Sequence, residues 1–316
     1  MSDERERIEE LRSDLSRSQT VEELREQLLV LAPSFHEAIQ KSQMLGQRDD
    51  LGMRVISLEM PYMGLAALGK SEPLVAVQKH RDHIRRRQTL AHECAHGLLR
   101  DVDRSRIGLD RRCEDRLCSE FARHALMPND RVEEHLQQYG FPLDICGLQQ
   151  FCRAFKVGFR PAIRALNEHA KEFCPVVLIA ATYRSHRNRP HEFGFRIDAA
   201  ASDPLLFAPP ERRLSSIGLA GLARWALWAE PGSRLSLESD WVALRSRSKT
   251  VECWYGPANL EAKVIRCEPR SSPKERGLLI ALDRTSLGRM SWDPTKVYAP
   301  ARVSAPLHPE QISLAR

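Results

Sequence analysis

The run Thr89-Leu-Ala-His92-Glu93-Cys-Ala-His96-Gly-Leu-Leu99 sets the tightest limit on what this chain can fold into. Leu90, Ala91, Cys94, Ala95, Leu98 and Leu99 recur at helical spacing, the stripe of a helix that faces a core. Two histidines and a glutamate interrupt it, and such groups are costly to bury without a purpose. Residues four apart share one helix face, so the His92 and His96 imidazoles can reach a single ion. Glu93 stands beside the first of them, where its carboxylate can take a proton from a water at that ion. The spacing therefore points to a catalytic zinc site. A merely structural helix is the competing reading, and it leaves three polar groups unexplained.

Three protein donors and a water are the usual catalytic zinc set, so a third donor is required. The next helical run, Glu114-Asp115-Arg-Leu-Cys118-Ser-Glu120-Phe121-Ala122-Arg-His124-Ala-Leu126-Met-Pro128, offers one. Leu117, Cys118, Phe121, Ala122, Ala125 and Leu126 form its apolar stripe. Glu114 and Asp115 flank the N-terminal end of that stripe, and Glu120 lies opposite. Periodicity alone does not choose between Glu114 and Asp115.

Residues 4–45 read as two or three helices broken near Ser18 and Pro33. Short β-branched runs at 54–58 and 74–78 read as strands. Helices are expected at 86–99, 110–127, 129–138, 147–154 and 159–171, with Pro128 closing the second. After Cys174 the texture turns to strands, at 176–183, 193–197, 241–245, 251–255, 262–267 and 277–282, around a helix at 212–229. The expected organisation is a helical segment over 1–50, a metal-bearing core over 51–130, a helical segment over 131–171, an α+β domain over 172–298 and a tail over 299–316.

Eight cysteines without a C-x-x-C pair, and an N-terminus without an apolar signal core, suit a reduced, cytoplasmic setting. No apolar run is long enough to span a membrane. A net charge of +6 permits a nucleic-acid or acidic partner without requiring one. The run 79–87, rich in Lys, His and Arg, reads as a solvated turn, with steering of an acidic surface as the other reading.

Residues 72–128 resemble the ImmA/IrrE family of bacterial zinc metallopeptidases. The likeness lies in the strand 73–78, the basic Arg85-Arg86-Arg87, the T-L-A-H-E-x-x-H-x-L-L helix from Thr89, and the helix ending F-A-x-x-A-L-M-P at Pro128. It implies a helical, zincin-like α+β domain with a small sheet, and a zinc ion held by His92 and His96 with Glu93 as general base. The family's glutamate ligand falls on Asp115, one methylene shorter, with Glu114 as the alternative. It further implies an endopeptidase that cleaves a regulatory protein, such as a helix-turn-helix repressor, in a stress or mobile-element response. Peptidases of this architecture take substrate as an added strand, and 74–78 is the candidate edge. His80, His83 and His124 are spare histidines, any of which could meet an oxyanion.

Residues 148–166 pair two amphipathic helices across Lys156-Val-Gly158. They resemble a helix-turn-helix bearing Arg160 and Arg164, or a cap of the kind that accompanies family members. The second function class is thus a DNA-binding regulator that retains the peptidase fold. In the radiation-response branch a GAF-type sensor domain follows the peptidase, and the length after 172 would accommodate one.

Overall fold

The computed structural model describes residues 10, 12–36, 39, 48–49, 53–60, 64–67, 74–79, 82–170, 176–186, 189–201, 220–247, 250–266, 276–283 and 288–292. The expected tail lies outside them. Internal contacts divide the chain into two compact units, Met1–Gly140 with Phe155–Gly158, and Phe141–Ala154 with Phe159–Arg316.

In the first unit helix α1 (Val21–Leu31) starts where Thr20 accepts the Glu23 amide at 3.1 Å. It buries Leu24, Leu28 and Leu31. Four strands follow: β1 (Arg48–Asp49), β2 (Met53–Leu58), β3 (Gly64–Ala67) and β4 (Leu74–Gln78). Their order is β1-β2-β4-β3, with β4 parallel to β2 and antiparallel to β3. This corrects the expected edge. Among the described residues the 74–78 strand is interior, with Val75, Ala76 and Val77 all buried, and β3 is an edge of the sheet.

Helix α2 (His83–Leu98) packs on β3 and β4. It begins three residues earlier than the expected 86 because Asp82 accepts the Ile84 amide at 2.9 Å. The short α3 (Arg104–Ile107) is capped by Asp103 and stopped by Gly108 at φ 69°. Helix α4 (Arg111–Leu126), capped by Asp110, lies against α2 with Leu117, Cys118, Phe121, Ala122 and Leu126 buried. Helix α5 (Asn129–Tyr139) follows Pro128 and ends at Gly140, φ 77°.

In the second unit come α6 (Ile145–Phe155), α7 (Phe159–His169), β5 (Val176–His186), β6 (Arg189–Ala201), α8 (Ala220–Trp228), β7 (Arg234–Arg247), β8 (Thr250–Arg266), β9 (Arg276–Asp283) and β10 (Gly288–Trp292). All pairings in its sheet are antiparallel, in the order β10-β8-β9-β5-β6 with β7 also on β8. Val177, Ile179, Phe195, Ile197, Trp225, Ala226, Val264, Leu278 and Ile280 close the core. The chain is α+β. Two expected strands, 251–255 and 262–267, are one continuous β8. Trp225 is core, whereas Trp228 is 87% exposed.

Candidate metal centre

Helices α2 and α4 bring the donors together. His92 and His96, one turn apart on α2, set their ring centroids 5.0 Å apart at 77°. Across from them Asp115 Oδ1 on α4 lies 3.6 Å from His92 Nε2 and 3.8 Å from His96 Nε2. One donor atom from each of the three falls within 4.8 Å of the others. Donors about 2.0–2.2 Å from a tetrahedral zinc stand about 3.3–3.5 Å from one another. The two His–Asp separations are a few tenths of an ångström wider, and all three donors lie within 4.8 Å of one another, so these residues fit a zinc-sized ion with an inward turn of side chains.

Glu114 is committed elsewhere. Arg104 Nε lies 2.7 Å from its Oε2 and Arg104 Nη2 2.8 Å from its Oε1, while His96 Nδ1 is 3.0 Å from Oε1. The Arg104 fork foremost holds its carboxyl below the ordinary value despite burial. With both oxygens engaged, Glu114 stands behind His96 rather than facing the shared space, which Asp115 faces. Cys118 Sγ also meets His96 at Nδ1, at 3.4 Å, away from that space. Burial pushes its thiol well up, so it stays protonated.

Glu93 lies under the sheet edge. Burial pushes its carboxyl up from the ordinary value, against the opposing pull of His96 and of the Ala66 amide, which donates to it. A Cβ on Gly64 of β3 would stand 2.6 Å from Glu93 Oε1, so glycine alone permits this approach of strand to helix. The arrangement is two imidazoles, a carboxylate at the rim and a proton-accepting carboxyl beside them.

Other candidates lie apart. His83 sits exposed at the start of α2, and His124 touches Arg123, with Arg123 Nη2 3.0 Å from its Nε2. Neither belongs to the His92, His96 and Asp115 group. His80 lies outside the described residues. The basic run is not wholly a solvated turn. Arg87 is 4% exposed and donates to the carbonyls of Phe155, at 3.4 Å, and Lys156, at 3.0 Å. On α7, Arg160 pairs with Asp198 Oδ2 at 2.9 Å and with Thr182, and Arg164 donates to the Asp198 carbonyl at 3.3 Å.

Sequence reasoning did not find Arg104, Ser119 or Gly64 at the site. Arg104 and Ser119 carried no motif, and their relevance rests on the packing of α3 and α4. Gly64 carried only its identity, in a run with no strand signal.

The family model for the IrrE N-terminal-like domain of M78 peptidases matches residues 48–166. No curated protein matches the chain. A solved structure of a Mycobacterium tuberculosis transcriptional regulator is similar over 90% of this chain and 77% of its own, at 14% identity and a TM-score of 0.44, too slight a likeness to bear on role. No helix among the described residues is long and apolar enough to cross a membrane. The two-helix donor set lies within the matched span: residues 48–166 are similar to the IrrE N-terminal-like domain of the M78 peptidases.

Proposed function

We propose that the protein is a zinc-dependent endopeptidase that cleaves a regulatory protein, with a helix-turn-helix repressor as the substrate class. The observation that carries this reading is the convergence of His92, His96 and Asp115 beside a half-buried Glu93. His92 and His96 would hold the ion through Nε2 and Asp115 through Oδ1. Bound zinc supplies positive charge that acidifies water and polarises a peptide carbonyl.

The chain's own groups do the rest. Glu93 accepts the proton of the attacking water at its carboxylate and returns it to the leaving amine nitrogen. A carboxyl raised by burial is the better base for that transfer. Strand β3, an edge directly over Glu93, supports the entry of an extended peptide as an added strand, held by backbone hydrogen bonds. The second unit, strand-rich and without a chemical motif, is assigned to substrate choice or to gating by a signal.

The alternative, a DNA-binding regulator on a retained peptidase fold, would lean on Arg160 and Arg164. Both are occupied with Asp198, which weighs against DNA contact by that segment.

Elemental analysis of the purified protein should find about one zinc per chain. Glu93→Gln, close to isosteric, should keep that zinc and lose at least about a hundredfold of its cleavage of a candidate repressor. A wild type without stoichiometric metal sinks the reading, as does a Glu93→Gln variant that cleaves at the wild-type rate.

A further inference from the structure

An imidazole offers a metal one lone pair, and the hydrogen bond at its other nitrogen decides which. In water the neutral ring favours hydrogen on Nε2, the nitrogen that both His92 and His96 turn toward Asp115. A ring in that form has nothing to give an ion there. Each ring is met at Nδ1 by a residue of α4.

At His92 the partner is Ser119, with Oγ 3.3 Å from Nδ1. The same hydroxyl donates to the Asp115 carbonyl, 2.9 Å away. A serine has one hydroxyl hydrogen, so toward His92 its oxygen can only accept, and His92 Nδ1 must carry the hydrogen. At His96 Nδ1 the nearer partner is Glu114 Oε1 at 3.0 Å, with Cys118 Sγ at 3.4 Å. That carboxylate is gripped by both arms of Arg104, at 2.7 and 2.8 Å, and an ionised carboxylate only accepts. His96 Nδ1 must therefore donate as well.

We propose that Ser119, and Glu114 backed by Arg104, are positioning residues that fix His92 and His96 as Nδ1–H tautomers and so present both Nε2 lone pairs to the metal. This rests on the metal reading above. The placement explains features that reading leaves idle. Glu114 is 8% exposed and would otherwise be a buried charge without a task beside the third donor. Arg104 projects from α3, a helix of four residues fixed by an Asp103 cap and a Gly108 stop. Ser119 and Asp115 are one turn apart on α4, so one helix face carries both the third donor and a lock on its neighbour.

The direct test is the ring itself. Long-range proton–nitrogen correlation spectra of 15N-labelled, metal-free protein, at alkaline pH where the rings are neutral, should show both as Nδ1–H. Ser119→Ala should release His92 alone, and Glu114→Ala or Arg104→Ala should release His96 alone. Each should weaken zinc binding, measured by chelator competition, by about 10–100-fold. Ser119 lies on an exposed helix position, so Ser119→Ala keeps the test decisive even where loss of Glu114 unsettles the fold. An Nε2–H ring in the wild type overturns the proposal, as do variants that leave tautomer and affinity unchanged. Zinc bound by a wild type with an Nε2–H ring overturns this proposal and leaves the metal reading standing. No zinc on the wild type overturns the metal reading, and the proposal's purpose with it.

Discussion

Gly64→Ala adds one methyl group where β3 packs against α2, the helix of the candidate metal site. The new Cβ would lie 2.5 Å from Thr89 Cγ2 and 2.6 Å from both Glu93 Cγ and Oε1. Comfortable carbon contacts are about 3.5–4.0 Å, so about 1 Å of overlap must be relieved. Thr89 is β-branched and stiff at χ1, and Glu93 Cγ is too near its backbone to swing clear. Either β3 lifts from α2 or Glu93 leaves its rotamer. Overpacking of this kind costs about 1–3 kcal/mol. A displacement of about 1 Å at a reacting group costs on the order of a hundredfold in rate. The three nearest atoms belong to Thr89 and Glu93 and not to His92, His96 or Asp115, so zinc content should not change. The assay is a thermal melt, a zinc determination and a cleavage rate on one preparation. A Gly64→Ala protein that melts and cleaves as the wild type does would refute the tight approach of β3 to Glu93. Gly97→Ala is the matched control on the same helix. Its Cβ would meet Met53 Sδ at 2.7 Å and Cε at 2.9 Å, the free end of a flexible side chain. Alanine also gains about 1 kcal/mol of helix propensity over glycine, so this variant should stay within about 1 kcal/mol of wild type.

Asp115→Ala should weaken zinc binding more than Glu114→Ala, since only Asp115 faces both Nε2 atoms; chelator competition with the reverse order would exchange their roles. His92→Ala with His96→Ala should abolish stoichiometric zinc, read by elemental analysis. Glu120→Gln should cost about 1–2 kcal/mol at neutral pH, because Arg25 Nε donates to Glu120 Oε2 at 3.0 Å across α1 and α4. Arg25 holds the folded Glu120 carboxyl below its ordinary value, so its contribution is present above the unfolded pKa and lost as pH falls through the folded one. Melts of variant and wild type should therefore converge in acid, and a constant gap would refute the pairing. Arg160→Ala should destabilise the second unit by about 1–3 kcal/mol, since it removes the guanidinium paired with the buried Asp198 carboxylate, and should leave any duplex DNA binding unchanged in a salt titration.

The metal-bearing helix was legible because its apolar stripe and its polar interruptions obey one period. Helices 86–99 and 110–127 emerge as His83–Leu98 and Arg111–Leu126 for that reason. Strand β3 was not legible, because Gly64-Leu-Ala-Ala67 holds no β-branched residue and its form is imposed by pairing with β4 and packing on α2. The gap between the expected strands 251–255 and 262–267 contains Gly256-Pro257, residue types common in turns, yet β8 runs through it. In the sheet, residues 256–258 fall between the β10 ladder, which ends at Tyr255, and the β9 ladder, which begins at Asn259. On the other side the β7 ladder runs on through Asp240↔Pro257, so pairing with β7 keeps the strand continuous where it changes partner. The Arg104–Glu114–His96 chain joins three helices, and no spacing along the sequence encodes that meeting.

The three donors differ in depth. The His92 and His96 side chains are 23% and 22% exposed, whereas that of Asp115 is 70% exposed. Two donors are thus held by packing and the third is a rotamer at the water's edge. On the metal reading proposed above, an arriving ion would meet the paired imidazoles first and be closed upon by one side-chain rotation, a motion of picoseconds to nanoseconds for an exposed residue. Loading and stripping of such an ion would then need no opening of the fold. Exchange rates should follow the freedom of a single aspartate rather than the global stability of the protein, and a strong chelator should empty the centre from a chain that never unfolds.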